Sequence, residues 1–215
     1  MKINIRRATA RDLARVVSIL TEDPAPDLRA IVPDRRKVTQ IGSLLGRHGM
    51  LVGLDETVVA EVEGQVVALM ETLRSASTHS LGLMASAGIV LRGTWHAGPG
   101  LLRRYARLTN ARKRMAIAIP PGGFDLNELD VHPAYRNRGI GGRLLAYAEE
   151  MARGGGFTKM WLTTESNNAA IRLYARHGFR IERSATDAVY EEMTGAPGRV
   201  LMVKDLARNS QASSV

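Results

Sequence analysis

The segment Arg136-Asn137-Arg138-Gly139-Ile140-Gly141-Gly142-Arg143 sets three glycines among three arginines at the start of an apolar helical periodicity. At a helix N-terminus, free backbone N–H groups and the positive end of the helix dipole point at one spot, which suits an anion. Gly139, Gly141 and Gly142 let the main chain approach such a group, while Arg136, Arg138 and Arg143 add charge and bidentate donors. The chemistry described is the holding of a phosphate, and a pyrophosphate fits it. Two rival phosphate loops are excluded by residue: no Gly-x-x-x-x-Gly-Lys-Ser/Thr is present, and the dinucleotide fingerprint needs a glycine where Leu144 stands. His48, His79, His96, His132 and His177 show no ligand spacing and the chain has no cysteine, so no metal site is expected.

The loop needs a strand before it and a helix after it. Phe124 to Val131 reads as that strand, with Leu126, Leu129 and Val131 apolar. The gap between Leu126 and Leu129 breaks strict alternation and predicts a β-bulge near Asn127 or Glu128. Beyond the loop, Leu144, Leu145, Ala148 and Met151 give a helix from about Gly141 to Arg153, stopped by Gly154-Gly155-Gly156. Lys159 to Thr164 is a strand, Asn167 or Asn168 caps a short helix through Arg176, His177-Gly178 closes it, and Phe179 opens another strand. Val200 to Val203 is the last strand.

Upstream, a strand Ile3 to Arg7 is followed by Thr9, which can cap a helix carrying Leu13, Val16, Val17 and Leu20. Asp34 caps a second helix reaching about Arg47. Val58 to Val62 and Val66 to Glu71 flank Glu63-Gly64-Gln65 as a hairpin. Between Ser75 and Pro121, Leu101, Leu102, Tyr105, Leu108 and Met115 mark the inner stripe of a helix whose solvent face carries Arg103, Arg104, Arg107, Arg112, Lys113 and Arg114.

In 215 residues, 45% apolar and 24% charged, there is room for one domain with a core, expected over 1–207, with 75–121 as a helical insertion and 208–215 as a flexible tail. Thirty Lys plus Arg against 21 Asp plus Glu leave +9, which favours anionic partners. The charged start and the lack of any apolar stretch of roughly 20 residues predict neither leader nor membrane helix, hence a cytoplasmic protein.

Arg136-x-x-Gly139-x-Gly141, preceded by Leu129-Asp130-Val131-His132-Pro133, resembles the acyl-CoA signature of the GNAT superfamily of N-acetyltransferases. Asn167 standing seven residues before Tyr174, with Gly178-Phe179 following, resembles the second motif of that family. The resemblance is strong from Phe124 to Ile181. It implies an α/β (α+β) fold with a mixed, mostly antiparallel, twisted sheet flanked by helices, the insertion lying between the third and fourth strands. It also implies a sheet splayed at the bulged strand, where the pantetheine arm of acetyl-CoA lies. Backbone groups around Leu129, Asp130 and Val131 would pair with that arm, and the amides from Arg138 through Gly139, Ile140, Gly141 and Gly142 to Arg143 would hold the pyrophosphate. The Val131 N–H becomes a donor to the thioester oxygen.

Transfer of acetyl to an amine needs the neutral nitrogen, yet an alkyl amine has a pKa of about 10.4. A proton acceptor is required, and Glu128 or Asp125 on the bulged strand can serve, with Glu128 favoured. Tyr174 is the expected general acid for the departing thiolate. Asn167 has two expected roles, helix cap and contact to the pantetheine amide. The implied partners are acetyl-CoA and an amine on a small molecule or peptide, with a homodimer as a compatible assembly; the alternative is a nucleic-acid-associated protein using the basic insertion helix.

Overall fold

β1 (Ile3–Arg7) leads into α1 (Leu13–Glu22) and α2 (Pro26–Ile31), and a hairpin of β2 (Thr57–Val62) and β3 (Gln65–Arg74) follows. Next come α3 (Gly100–Arg114), β4 (Phe124–Val131), α4 (Ile140–Gly154), β5 (Lys159–Glu165), α5 (Ile171–Arg176), β6 (Arg180–Thr186), α6 (Ala188–Thr194) and β7 (Gly198–Asp205). The structure, a computed structural model, describes residues 1–34, 36–40, 54–74 and 100–206. The strands form one sheet in the order β1-β2-β3-β4-β5-β7-β6, antiparallel throughout except for the parallel pair β4–β5.

Local chemistry accounts for the joints. Thr9 donates to Asp12 Oδ2 through both its N–H and Oγ1, each at 2.8 Å, turning the chain into α1. Arg6 brackets Asp12 at 2.7 Å and Glu61, locking β1 and β2 to that turn. In the hairpin, Glu63 and Gly64 have φ of 53° and 79°, the pair of left-handed residues whose twist suits antiparallel strands.

The sheet is covered on both faces. On one, Leu144, Leu145, Ala148 and Ala152 of α4 pack with Phe124, Leu126, Met160 and Leu162. On the other, Val16 and Ile19 of α1 meet Val59, Val66 and Leu69. There α3 and α6 pack through Leu108, Ala111, Met115 and Tyr190.

The α3 stripe differs from the expected one. Leu101, Leu108 and Met115 are buried together with Ala111, whereas Leu102 and Tyr105 are 48% and 43% exposed. The buried positions follow one another at helical spacing, Leu102 and Tyr105 fall on the neighbouring stripe, and a small Ala111 suits the place where α3 meets α6. The basic face is also engaged. Arg104 Nε donates to Ile31 O at 2.8 Å, Arg107 pairs with Glu192, Arg112 with Asp27 at 3.2 Å and Arg114 with Asp187 at 2.7 Å. Of the helix expected from Asp34 to Arg47, residues 36–40 are helical and 41–47 lie outside the described residues, as do 75–99 of the insertion and the expected tail.

Candidate active site

Strand β4 pairs with β3 with Glu71 opposite Glu128 and Thr72 opposite Leu126, so Asn127 is the extra residue of a bulge. Bulges bend a strand and increase its twist. Pairing of β4 with β5 runs through Phe124–Met160, Asp125–Trp161 and Leu126–Leu162 and stops there, although β4 continues to Val131 and β5 to Glu165. The two strands part where the bulge begins. The His132 N–H donates to Val67 O at 2.9 Å, so strand alternation turns the peptide groups of Leu129 and Val131 into the split and those of Asp130 toward β3. Asp130 therefore does not share the backbone role expected of its neighbours. Its carboxyl lies within reach of the Val131 N–H.

The bulge also sorts side chains. Leu129 and Val131 pack toward α4. Glu128 and Asp130 take the opposite face, where their cross-strand partners Glu71 and Leu69 stand, Leu69 within the α1 cluster. Four carboxyls converge there. Loss of solvent, then Asp130, Glu165 and Glu71, push Glu128 up to about 7, with Arg199 opposing. Burial, partly offset by Arg136, raises Asp130 to about 6. Glu71, 4% exposed, accepts from Asn127 Nδ2 at 2.6 Å. Glu165 stands opposite Arg199, with their charged groups 3.8 Å apart. Asp125 is separate from this group: it stands ahead of the bulge, registered to Trp161, and burial alone raises it to about 6.

Tyr174 approaches from the other face. It is 7% exposed, and its ring lies edge-on to Phe179 at 6.1 Å. Burial, reinforced by Glu128, Glu165 and Asp130, pushes its phenol well above the usual range, so it holds its proton. Its helix is set by Asn168, whose Oδ1 accepts from Ala170 N and whose Nδ2 donates to Thr164 Oγ1, each at 2.8 Å. Neither asparagine is the cap, which is Ala170. Asn167 donates to Gly195 O at 3.0 Å, an engagement with the turn before β7 that sequence spacing cannot reveal.

In the anion loop, Asn137 and Gly139 have φ of 60° and 79°. The Arg143 N–H already donates to Gly139 O at 3.1 Å, which leaves the amides of Gly139, Ile140, Gly141 and Gly142 ahead of the first helical bond. Arg143 thus offers a side chain but not its amide. Arg138, exposed, stacks over Tyr135 at 5.3 Å. Gly141 serves packing: a Cβ there would lie 3.0 Å from Leu173 Cδ2, with Leu129 and Val131 just behind. A Cβ on Gly142 would lie 3.0 Å from His177 Nε2, a histidine whose pKa burial and then Lys204 hold below its ordinary value. Arg136 is committed elsewhere, with Nε on Val131 O at 2.9 Å and Nη1 on Asp23 Oδ2 at 2.7 Å. Glu71, Glu165, Arg199 and His177 are the site neighbours that sequence reasoning missed, since they come from strands and a turn with no shared motif. Among the described residues no group of three or more His, Asp or Glu is arranged to hold a metal, and no helix is long and apolar enough to cross a membrane.

The model of the acetyltransferase (GNAT) family matches residues 53–179, more than half of the chain. The chain belongs to the GNAT family. Over 158 residues it is 31% identical to the N-alpha-acetyltransferase RimI of Mycobacterium tuberculosis, an alignment covering 69% of this chain and 85% of that one. Its fold is similar to that of the histone acetyltransferase HPA2 and related acetyltransferase from Corynebacterium glutamicum, with TM-score 0.62 and 21% identity over 98% of this chain and 99% of the other. It is also similar to the PaiA N-acetyltransferase of Thermoplasma acidophilum, solved with coenzyme A, with TM-score 0.57 and 16% identity over 95% and 99%. The GNAT protein is an acyltransferase that uses acetyl-CoA as co-substrate.

Proposed function

We propose that acetyl passes directly from acetyl-CoA, lying in the β4–β5 split, to an amine presented from the α1 face. The pyrophosphate rests on the amides of Gly139 to Gly142 with Arg138 and Arg143 outside it, and the pantetheine arm pairs with Leu129 and Val131. The amine nitrogen attacks the thioester carbon while the Val131 N–H stabilises the oxygen that becomes negative. Glu128, directly or through one water, takes the proton lost by nitrogen. The C–S bond then breaks and Tyr174 gives its proton to the thiolate.

One observation carries this reading. Glu128 stands next to the bulge residue where the strands part, its proton affinity is raised to about 7, and the field of its carboxyl group reaches Tyr174 from across the sheet. Both groups are raised, so near neutral pH Glu128 can accept a proton while Tyr174 still holds its own. Asp125 lacks that placement.

For the acceptor we propose the α-amino group of a peptide or protein, on the likeness to RimI. The chemistry favours it: an α-amine with a pKa of about 7.7–8.0 is roughly a tenth neutral at pH 7, whereas a lysine-like amine near 10.4 is neutral in about one molecule in a few thousand. A base poised near 7 suits the former. The α3 arginines, paired to neighbouring elements, supply no argument for a nucleic-acid acceptor. The test is thiol release from acetyl-CoA with short peptides, the same peptides blocked at the N-terminus, polyamines, and single amino acids. Turnover confined to free N-termini is expected, and turnover confined to the other amines would overturn the acceptor class.

A further inference from the structure

Arg136 occupies the position that its motif would give to a phosphate ligand, yet its fork of donors points at the protein. Nε holds the Val131 carbonyl at 2.9 Å, Nη1 holds Asp23 Oδ2 at 2.7 Å, and Nη2 lies 3.7 Å from Asp130 Oδ1. With Asp23 and Asp130 beside it, its long-range attraction for a diphosphate is reduced locally. We infer that Arg136 is a positioning residue: it fixes the end of β4 against the end of α1 so that the Val131 N–H stays directed at the thioester oxygen, and it takes no part in gripping the phosphates. The inference rests on the transfer reading given above.

The geometry supplies the means. The carbonyl of Val131 and the N–H of His132 belong to one peptide unit, and that unit is held at both ends, by Arg136 Nε and by Val67 O at 2.9 Å. A peptide plane fixed at both ends leaves the preceding amide, that of Val131, little freedom to rotate. The Asp130 carboxyl is within reach of that same amide and of Arg136, so the guanidinium offers it a second partner when the thioester takes the donor.

The far anchor follows from helix electrostatics. Glu22 and Asp23 sit at the C-terminal end of α1, where the dipole makes negative charge unfavourable unless a cation is near. Here Asp23 is held by the cations of Arg136 and, at 3.5 Å, Arg29, while Glu22 accepts from His132 Nε2 at 2.7 Å. Consecutive acids at the end of α1 thus clamp the strand end on which Val131 lies, and they join the amine-side helix to the thioester-side strand.

The experiment measures acetyl-CoA affinity by calorimetry and kcat by thiol release on the full chain carrying Arg136→Gln, Arg136→Lys, Asp23→Asn or Arg143→Gln. For Arg136→Gln, kcat should fall about 10- to 100-fold, less than the about 100- to 1,000-fold typical of deleting an oxyanion donor, while the Kd for acetyl-CoA stays within about twofold. Asp23→Asn should move kcat in the same direction by a smaller factor, and adding it to Arg136→Gln should cost little more. Arg143→Gln should show the opposite split, with weaker binding and little change in kcat. A Kd weakened tenfold in Arg136→Gln with kcat retained would make Arg136 a phosphate ligand and overturn the inference. If Arg136→Gln does not fold, Asp23→Asn decides: unchanged kcat there rejects the clamp. Absence of acetyl-CoA binding by the unaltered protein would instead reject the transfer reading itself.

Discussion

Glu71 and Glu128 stand directly opposite one another on β3 and β4, two carboxyls on one face at the point where the sheet begins to open. Like charges in such a pair repel. Glu71 accepts from Asn127 Nδ2 at 2.6 Å, and Glu128, buried with Asp130, Glu165 and Glu71 around it, binds a proton more readily than an ordinary glutamate. The bulge residue thus hydrogen-bonds the β3 carboxyl that faces the proposed proton acceptor.

The first prediction concerns the pH–rate profile. A base must be deprotonated, so kcat/KM should rise through about pH 7, and further through the acceptor amine's own pKa of about 7.7–8.0 before levelling off. Glu71→Gln removes a neighbouring negative charge and should move that limb to lower pH, whereas Arg199→Gln removes the opposing cation and should move it higher. Glu128→Gln should abolish the limb and lower kcat/KM by a factor on the order of 100 to 10,000. A limb near pH 7 that survives in Glu128→Gln would reject the assignment.

Stability should follow pH in the sense set by the same groups. Glu128, Asp125 and Asp130 bind protons more tightly folded than unfolded, at about 7, 6 and 6 against ordinary values of 4.5, 3.8 and 3.8. Between about pH 4 and 7 the folded chain carries more protons, so stability falls as pH rises through that window. Asp12, held well below its usual value by Arg6, and Asp187, held at about 2 by Arg114, act oppositely: their contribution is present above the ordinary carboxylate range and disappears as pH falls through their lowered values. Thermal melts of the cofactor-free protein should therefore peak near pH 5 and lose several degrees by pH 8, given about 2–4 °C per kcal/mol for a chain of this size. A Tm that climbs steadily from pH 5 to 8 would contradict the raised values.

Tyr174→Phe tests the acid. Because burial and the carboxyls keep the phenol protonated, the unaltered protein should show no loss of turnover up to about pH 10 from this group. The variant should lose about 10- to 100-fold in kcat, with acetyl-CoA affinity retained. Equal turnover of the two proteins at every pH would remove Tyr174 from the mechanism.

The two loop glycines should fail in different ways. Gly141→Val drives a side chain into Leu173, Leu129 and Val131, so it should lower Tm as well as weaken acetyl-CoA binding. Gly139 has open space around the missing Cβ but φ of 79°, so Gly139→Ala should cost about 1–2 kcal/mol through backbone strain. Melting curves and calorimetry on both variants check this, and an unchanged Tm for Gly141→Val would remove the packing role.

The anion loop, the bulge and α4 were legible in the sequence because each is written in consecutive residues. The skipped position between Leu126 and Leu129 marks the bulge, and Gly139 marks the left-handed residue at the start of α4. The carboxyl group around Glu128 was not legible: Glu71, Glu165 and Arg199 come from β3, β5 and β7, and only strand register brings them together. Nor could spacing show that Arg136 turns back to Val131 and Asp23. Tyr174 was singled out through its motif. Its coupling to Glu128 through the opening depends on the point at which β4 leaves β5.

That departure divides the sheet mechanically. Among the described residues, three registered pairs join β4 to β5 along the parallel seam between β1–β4 and β5–β7. A pantetheine arm hydrogen-bonded along the remainder would act as the missing thread, splinting the two halves. On the transfer reading, an enzyme holding acetyl-CoA should be the stiffer object, and slower amide exchange along β4 and β5 in its presence is the expected sign.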